Sequence, residues 1–367
     1  MNYAKRKALF TKCEEQRGKP LITYVTSIRP NSSSQMASDA IPQIIKQIQL
    51  IAPEKDEIDF LIISNGGDPI TALRIITILR ERFKKISILI PYAAFSAATI
   101  LSLGADEIIM HPYSNLGPVD PQLSIIKPNG VGQQSQLQFS SEDIRNYIEF
   151  IRSDVGITDQ AHLINAFNSL ASEVGSLPIG SSKRSQQLSL SLSAKMLETH
   201  LEDKSKAASI AKALNTSYYH HGYAVGRQEA RDIGLNIIDP SLELENILWE
   251  IWLSYSDEMK CDQEFNPISE LMDIPAVKQQ IINVPIISLP ANTPPQIAQN
   301  IIGQTAQQNA QILQASPVEI VQPLAAIESL NIAFSININH NIIYWRDANM
   351  SLSLNMTSFS KGWEEQV

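Results

Sequence analysis

Two stretches hold residue types that could together perform acyl transfer: "ISNGGDPITA", residues 63–72, and the serine of "PYAAFSAATILSLG", residues 91–104. A Gly-Gly turn has no side chain to keep a ligand away, so its backbone N–H groups can approach closely. A serine at the start of a helix stands beside amides that lack intrahelical partners and beside the positive end of the helix dipole. Ser96 then supplies a nucleophile, while the N–H groups of Gly67 and Ala97 supply the two donors of an oxyanion hole. Each motif also has an ordinary use, as a tight turn and as a helix N-cap. A side chain at Gly67 is expected to disturb its donor while the fold persists.

For these groups to meet, the chain must bring two strand-to-helix turns side by side. The run "EIDFLII" (57–63) is nearly all apolar, as in a strand buried on both faces. In "PITALRIITILRERF" the residues Ile70, Leu73, Ile76, Leu79 and Phe83 recur on one helical face, with Asp68 as cap and Pro69 in the first turn. "ISILI" (86–90) reads as the next strand, "SAATILSLG" as a short helix and "DEIIM" (106–110) as a third strand. This alternation predicts an α/β fold with parallel pairing, and ligands in such sheets bind at the carboxyl ends of the strands.

No charge occurs between Lys85 and Asp106, about the length of a membrane span. Pro91 and Tyr92 divide that run, however, and β-rich residues give way to helix-prone ones. A strand, a turn and a buried helix explain it better, so no integral membrane segment is expected. The net charge of −9 argues against a nucleic-acid surface. Cys13 and Cys261 form no disulfide or zinc pattern, and the N-terminus lacks the apolar run of a signal peptide. A cytoplasmic protein needing no metal or organic cofactor is the expectation.

Residues 1–255 are read as the main domain, with a helical insertion at about 141–214. Residues 256–316 are read as a Pro/Gln-rich linker or arm. Residues 317–367, where "LNIAFSININHNIIYW" alternates with period two, are read as a small β-rich element.

The stretch from "LIISNGGDPITAL" to "GADEIIMHPYSNLGPVDPQ" resembles the core of the Clp protease/crotonase superfamily. The resemblance points to the serine dehydrogenase proteinase family and to signal peptide peptidase A, and "YAVGRQEARDIGLNIID" resembles a later element of that fold. It implies repeated β-β-α units, a serine endopeptidase acting through Ser96, a Gly67/Ala97 oxyanion hole, a peptide or protein substrate and a homo-oligomer. The sequence departs from the pattern where Ala97 and Ala98 stand in place of the usual glycine. It departs again where Val119-Asp120 stands near the Clp-type histidine, which leaves Asp120 read as a turn residue. For the general base, the resemblance to signal peptide peptidases favours Lys183, whose amine would have to be desolvated to lose its proton. The position of "HHGYAV" favours His221, and Lys183 is preferred of the two. His111 is read as a strand-end residue. The alternatives are a non-catalytic scaffold of the same fold and a crotonase-like acyl-CoA enzyme, for which Asp68 would be the nearby carboxylate.

Overall fold

A computed structural model of the chain describes residues 3–129, 133–218, 220–283, 288–309, 317–346 and 351–366. The chain divides into two compact units, one made of Met1–Thr26, Ser34–Tyr255 and Ile327–Ala333, the other of Ser27–Ser33, Ser256–Ala326 and Phe334–Val367.

The first unit is a mixed α/β structure around a parallel sheet. Its elements are α1 (Tyr3–Arg17), β1 (Leu21–Thr26), α2 (Ile41–Gln49), β2 (Glu57–Ile63), α3 (Pro69–Arg82), β3 (Lys85–Ile90), β4 (Ala93–Ala94), α4 (Ala97–Ser102), β5 (Glu107–Met110) and β6 (Asn115–Leu116). A hairpin, β7 (Gln122–Asn129) with β8 (Gln133–Ser140), leads into the helices α5 (Ser141–Ser153), α6 (Gln160–Val174), α7 (Ser176–Leu197) and α8 (Lys204–Thr216). Then come α9 (Arg227–Asp232), β9 (Ile237–Ile238) and α10 (Leu242–Met259). The sheet order is β1-β2-β3-β5-β9, and each of these neighbours is parallel.

The apolar runs explain this sheet. Every residue of β2 after Glu57 and of β3 after Lys85 is buried, as strands covered on both faces require. The uncharged run between Lys85 and Asp106 becomes β3, a turn and α4. No helix among the described residues is long and apolar enough to cross a membrane. Helix α3 starts where its cap predicts, with the Asp68 carboxylate accepting from Ile70 and Thr71 N–H at 3.0 and 3.1 Å. Its buried stripe is Ala72, Ile75, Ile76 and Leu79, so the face is turned from the predicted one. Ile70, in the first turn, is 47% exposed.

At the amino ends of these strands, Asp59, Ser87 and Glu107 stand in register on β2, β3 and β5. The Arg17 guanidinium crosses them, 2.8 Å from both Asp59 and Glu107. Burial raises the carboxyl of Asp59 against the pull of Arg17. Burial also pushes Glu107 up, but hydrogen bonds from Arg17, Ser87 and Lys85 outweigh it and bring that group down from 4.5 to about 2. A carboxyl depressed in the folded state stabilises above its unfolded value, and that contribution is lost as pH falls through the folded one. The melting temperature is therefore expected to fall between about pH 4.5 and 2. Glu107→Gln should flatten that fall in a thermal melt series; an unchanged slope would remove Glu107 as its source.

The second unit contains α11 (Pro267–Met272), α12 (Pro275–Ile282), α13 (Pro295–Asn309), most of β10 (Val318–Glu328) and of β11 (Ala333–Arg346), β12 (Leu352–Phe359) and β13 (Trp363–Gln366). Strand β11 pairs with β10, β13 and, antiparallel, β12. Leu271, Val277, Ile281, Ile342 and Tyr344 form a core cluster between its helices and strands. Helices thus occupy much of the stretch expected as a linker or arm; its residues 284–287 and 310–316 lie outside the described residues.

Candidate active site

The site is built at the carboxyl ends of β2 and β3. Just past β2, the Ser64 N–H donates to Ala93 O and its carbonyl accepts from Phe95 N–H, both at 2.9 Å. The Ser64 hydroxyl accepts from Thr26 at 2.8 Å and from Gly66 N–H at 3.0 Å. One buried serine thus ties the Gly-Gly turn to the segment that carries Ser96. Sequence reasoning passed over Ser64, whose bonds to Thr26, Ala93 and Phe95 join segments distant along the chain.

Ser96 occupies the sharp turn from β4 into α4, at φ 53° and ψ −117°. A positive φ is costly for a residue with a side chain and is kept only where surrounding structure enforces it. The nucleophile elbow of hydrolases is a turn of this kind. The Ser96 hydroxyl does not serve as an N-cap and takes no hydrogen bond among the described residues.

Among the described residues, neither the Gly67 N–H nor the Ala97 N–H donates a hydrogen bond. Gly67 bridges to Met36 in parallel fashion, but the bonds run from Met36 N–H to Gly66 O (2.7 Å) and from Asp68 N–H to Met36 O (2.9 Å). That pattern turns the Gly67 N–H away from Met36. Ala97 is the first residue of α4, where no intrahelical acceptor exists. Both residues line one cavity of about 460 Å³ with Ser96 and His221.

The glycines carry a second constraint. At Gly67, φ is 145°, and a Cβ would come within 2.4 and 2.5 Å of the Met36 carbonyl oxygen and nitrogen. The expectation that Gly67→Val keeps the fold is therefore corrected, because a side chain there breaks the pairing with Met36. Gly66, at φ 103°, tolerates a side chain no better, but there the clash falls on the serine rather than on Met36: its Cβ would meet Phe95 O at 2.7 Å, Ser96 Cβ at 2.8 Å and Ala97 N at 2.9 Å. Gly66→Ala is expected to displace Ser96 and lower turnover about 100-fold or more, the scale of losing one oxyanion donor. Turnover within a few-fold of the unmodified protein would show that the turn yields without moving the serine.

His221 carries a partner that sequence reasoning assigned to a turn. Its Nδ1 lies 2.8 Å from Asp120 Oδ1, and Gln122 Nε2 donates to Asp120 Oδ2 at 2.9 Å. The backbone ahead of Asp120 is clamped from two helices. The Ser189 hydroxyl on α7 donates to Val119 O at 2.6 Å, and Val119 N–H donates to Leu214 O at 3.0 Å, near the end of α8. The chain order is thus serine, carboxylate, histidine. Because Asp120 and His221 are 101 residues apart, no local pattern announces the pair.

Lys183 is placed elsewhere. Its amine donates to Gln186 Oε1 at 3.2 Å, one turn along α7, and lines a separate hollow with Ser141, Arg145 and Ile179. Ser185, Leu188 and Ser189 are the residues of α7 that line the Ser96 cavity. His111 accepts from Tyr113 N–H at 3.1 Å and stacks on Trp249 with ring centroids 4.9 Å apart, and burial lowers its pKa. It is a packed residue at the end of β5. Asp68 lines the cavity but spends both carboxylate oxygens on the cap of α3. No cluster of metal-ligating side chains occurs among the described residues.

Residues 4–146 match the ClpP-like SDH-type serine proteinase family. Two uncharacterized proteins of Methanocaldococcus jannaschii are similar in sequence. One is 38% identical over 81 residues, covering 22% of this chain and 27% of the relative. The other is 26% identical over 203 residues, covering 53% of this chain and 58% of the relative. The chain thus spans about a quarter and somewhat over half of the length of these relatives. Among solved structures, a mutant of a membrane-bound stomatin-specific protease is similar at 18% identity and a TM-score of 0.33, covering 66% of this chain and 86% of that one.

Proposed function

From the match of residues 4–146 to the ClpP-like SDH-type serine proteinases, we propose that the chain is a serine endopeptidase with Ser96 as nucleophile, His221 as general base and Asp120 as the carboxylate that orients it. One observation carries this reading. An uncapped serine at positive φ shares a cavity with a histidine whose other nitrogen is engaged by a carboxylate.

With Nδ1–H donating to Asp120, His221 Nε2 is the basic nitrogen. Substrate binding brings it to the Ser96 hydroxyl; such contacts are often long in an empty site and tighten on binding. Ser96 Oγ attacks the peptide carbonyl carbon as its proton passes to His221 Nε2. The carbonyl oxygen becomes an oxyanion and accepts from the Gly67 and Ala97 N–H groups. The C–N bond then breaks, and the proton on His221 goes to the leaving nitrogen. Water attacks the Ser96 ester, giving one proton to His221, which returns it to Ser96 Oγ as the acid departs. These steps ask for no cofactor.

The family resemblance supports a peptide or protein substrate and a homo-oligomer. The run of strand and helix signals supports a catalytic part within residues 1–255, and the free thiols of Cys13 and Cys261 support a cytoplasmic location. An acyl-CoA reaction is less well supported, because Asp68 is committed to its helix cap. A fluorophosphonate tests the reading directly. One adduct, located on Ser96 by peptide mass spectrometry, is the expected result, whereas a folded protein left unlabelled would favour a non-catalytic scaffold.

A further inference from the structure

His221 stands between two cavities. It and Gln122 line the Ser96 cavity and also a second one of about 470 Å³, which Asp120 lines as well. The two spaces differ in chemistry. Ile70, Ile100, Leu123 and Leu188 give the first apolar walls. The second is lined by polar side chains, among them Gln138, Asn146 and Tyr218, and by Glu142, Asp143 and Arg145. Its three carboxylates, those of Asp120, Glu142 and Asp143, outnumber its one guanidinium and the imidazolium that His221 becomes during the reaction; His220 lines it too.

We propose that the second cavity is the leaving-group subsite and that it selects peptides whose residues after the scissile bond are polar or cationic. This rests on the serine peptidase reading. The histidine that takes the serine proton must hand it to the departing amine, so the leaving half of the substrate lies on the His221 side of Ser96. The acyl half lies toward the oxyanion donors and the apolar walls of the first cavity. An apolar side chain beyond His221 would strip water from the amides and carboxylates there without replacing their hydrogen bonds. An ammonium or guanidinium would supply donors and offset the excess negative charge. Glu142 is the group through which this charge can be altered. It accepts from Gln186 at 2.6 Å and pairs with Arg145 at 3.2 Å, and Arg145 is itself 61% exposed and so largely hydrated.

The test uses the full chain and quenched-fluorescence peptides that share a leucine before the bond and differ in the two residues after it: Lys-Lys, Ser-Ser, Leu-Leu or Glu-Glu. At low ionic strength kcat/KM is expected to be highest for Lys-Lys and about five-fold or more above Glu-Glu, the scale of a solvent-touched ion pair. In Glu142→Lys, with folding checked by circular dichroism, that ratio should fall to one or below. Hydrolysis by the unmodified protein with no preference, or with a preference for Leu-Leu or Glu-Glu, overturns the subsite and leaves the peptidase reading standing. A folded Glu142→Lys with an unchanged ratio does the same. Failure to cleave any of the peptides overturns the peptidase reading and the subsite with it.

Discussion

Ser96→Ala is expected to abolish fluorophosphonate labelling and to lower peptide turnover on the order of 10⁶-fold, the loss seen when a nucleophile acting as one unit with its base is removed. The fold should be untouched. Ser96 makes no hydrogen bond among the described residues that the substitution would break, and alanine keeps the Cβ that packs over Gly66. Both serine and alanine meet the same cost at φ 53°, so the turn gains nothing by changing. Circular dichroism and a melting curve check the fold, and burst kinetics with an activated ester check for an acyl-enzyme. Turnover that survives in Ser96→Ala, or labelling that persists at another serine, would remove the nucleophile from this assignment.

Loss of the base should be almost as severe. His221→Ala is expected to cost on the order of 10⁴-fold or more, because no other side chain with a basic nitrogen lines the Ser96 cavity among the described residues. Asp120→Asn should cost about 10⁴-fold near neutral pH, since an amide N–H opposite Nδ1 favours the tautomer that leaves Nε2 protonated. Lys183→Ala is expected to leave turnover unchanged, its amine being bound to Gln186 outside that cavity. The three variants separate the two candidate bases in one set of steady-state measurements. Loss in Lys183→Ala with activity retained in His221→Ala would reverse the assignment and require α7 to rotate when substrate binds.

The sequence by itself determined the parallel core and the groups at its carboxyl edge. Continuous apolar runs in β2 and β3 leave few alternatives to strands buried on both faces, and Asp68-Pro69 sets the start of α3. Those signals are local, since burial, capping and turn chemistry are read within a few residues. The placement of Ser96, Gly67 and Ala97 at strand-to-helix turns was legible for the same reason, and their roles are the ones proposed above. The segment after residue 256 was less so, because helices such as α12 are short and the Pro and Gln around them mask their periodicity.

Only the tertiary structure decided what stands next to Ser96. Asp120 looked like a turn residue because "GPVDPQ" is turn chemistry, and its pairing with His221 depends on where α7 and α8 hold the Val119 backbone. Lys183 looked available because position along a helix does not reveal which face meets a cavity. Ser185 and Ser189, one turn apart on α7, share the face that lines the Ser96 cavity, whereas Lys183 and Gln186 line a different hollow. A general base is defined by a distance and an orientation to one oxygen atom. Neither is encoded in spacing along the chain when 101 residues separate the histidine from its carboxylate, so packing alone sets them.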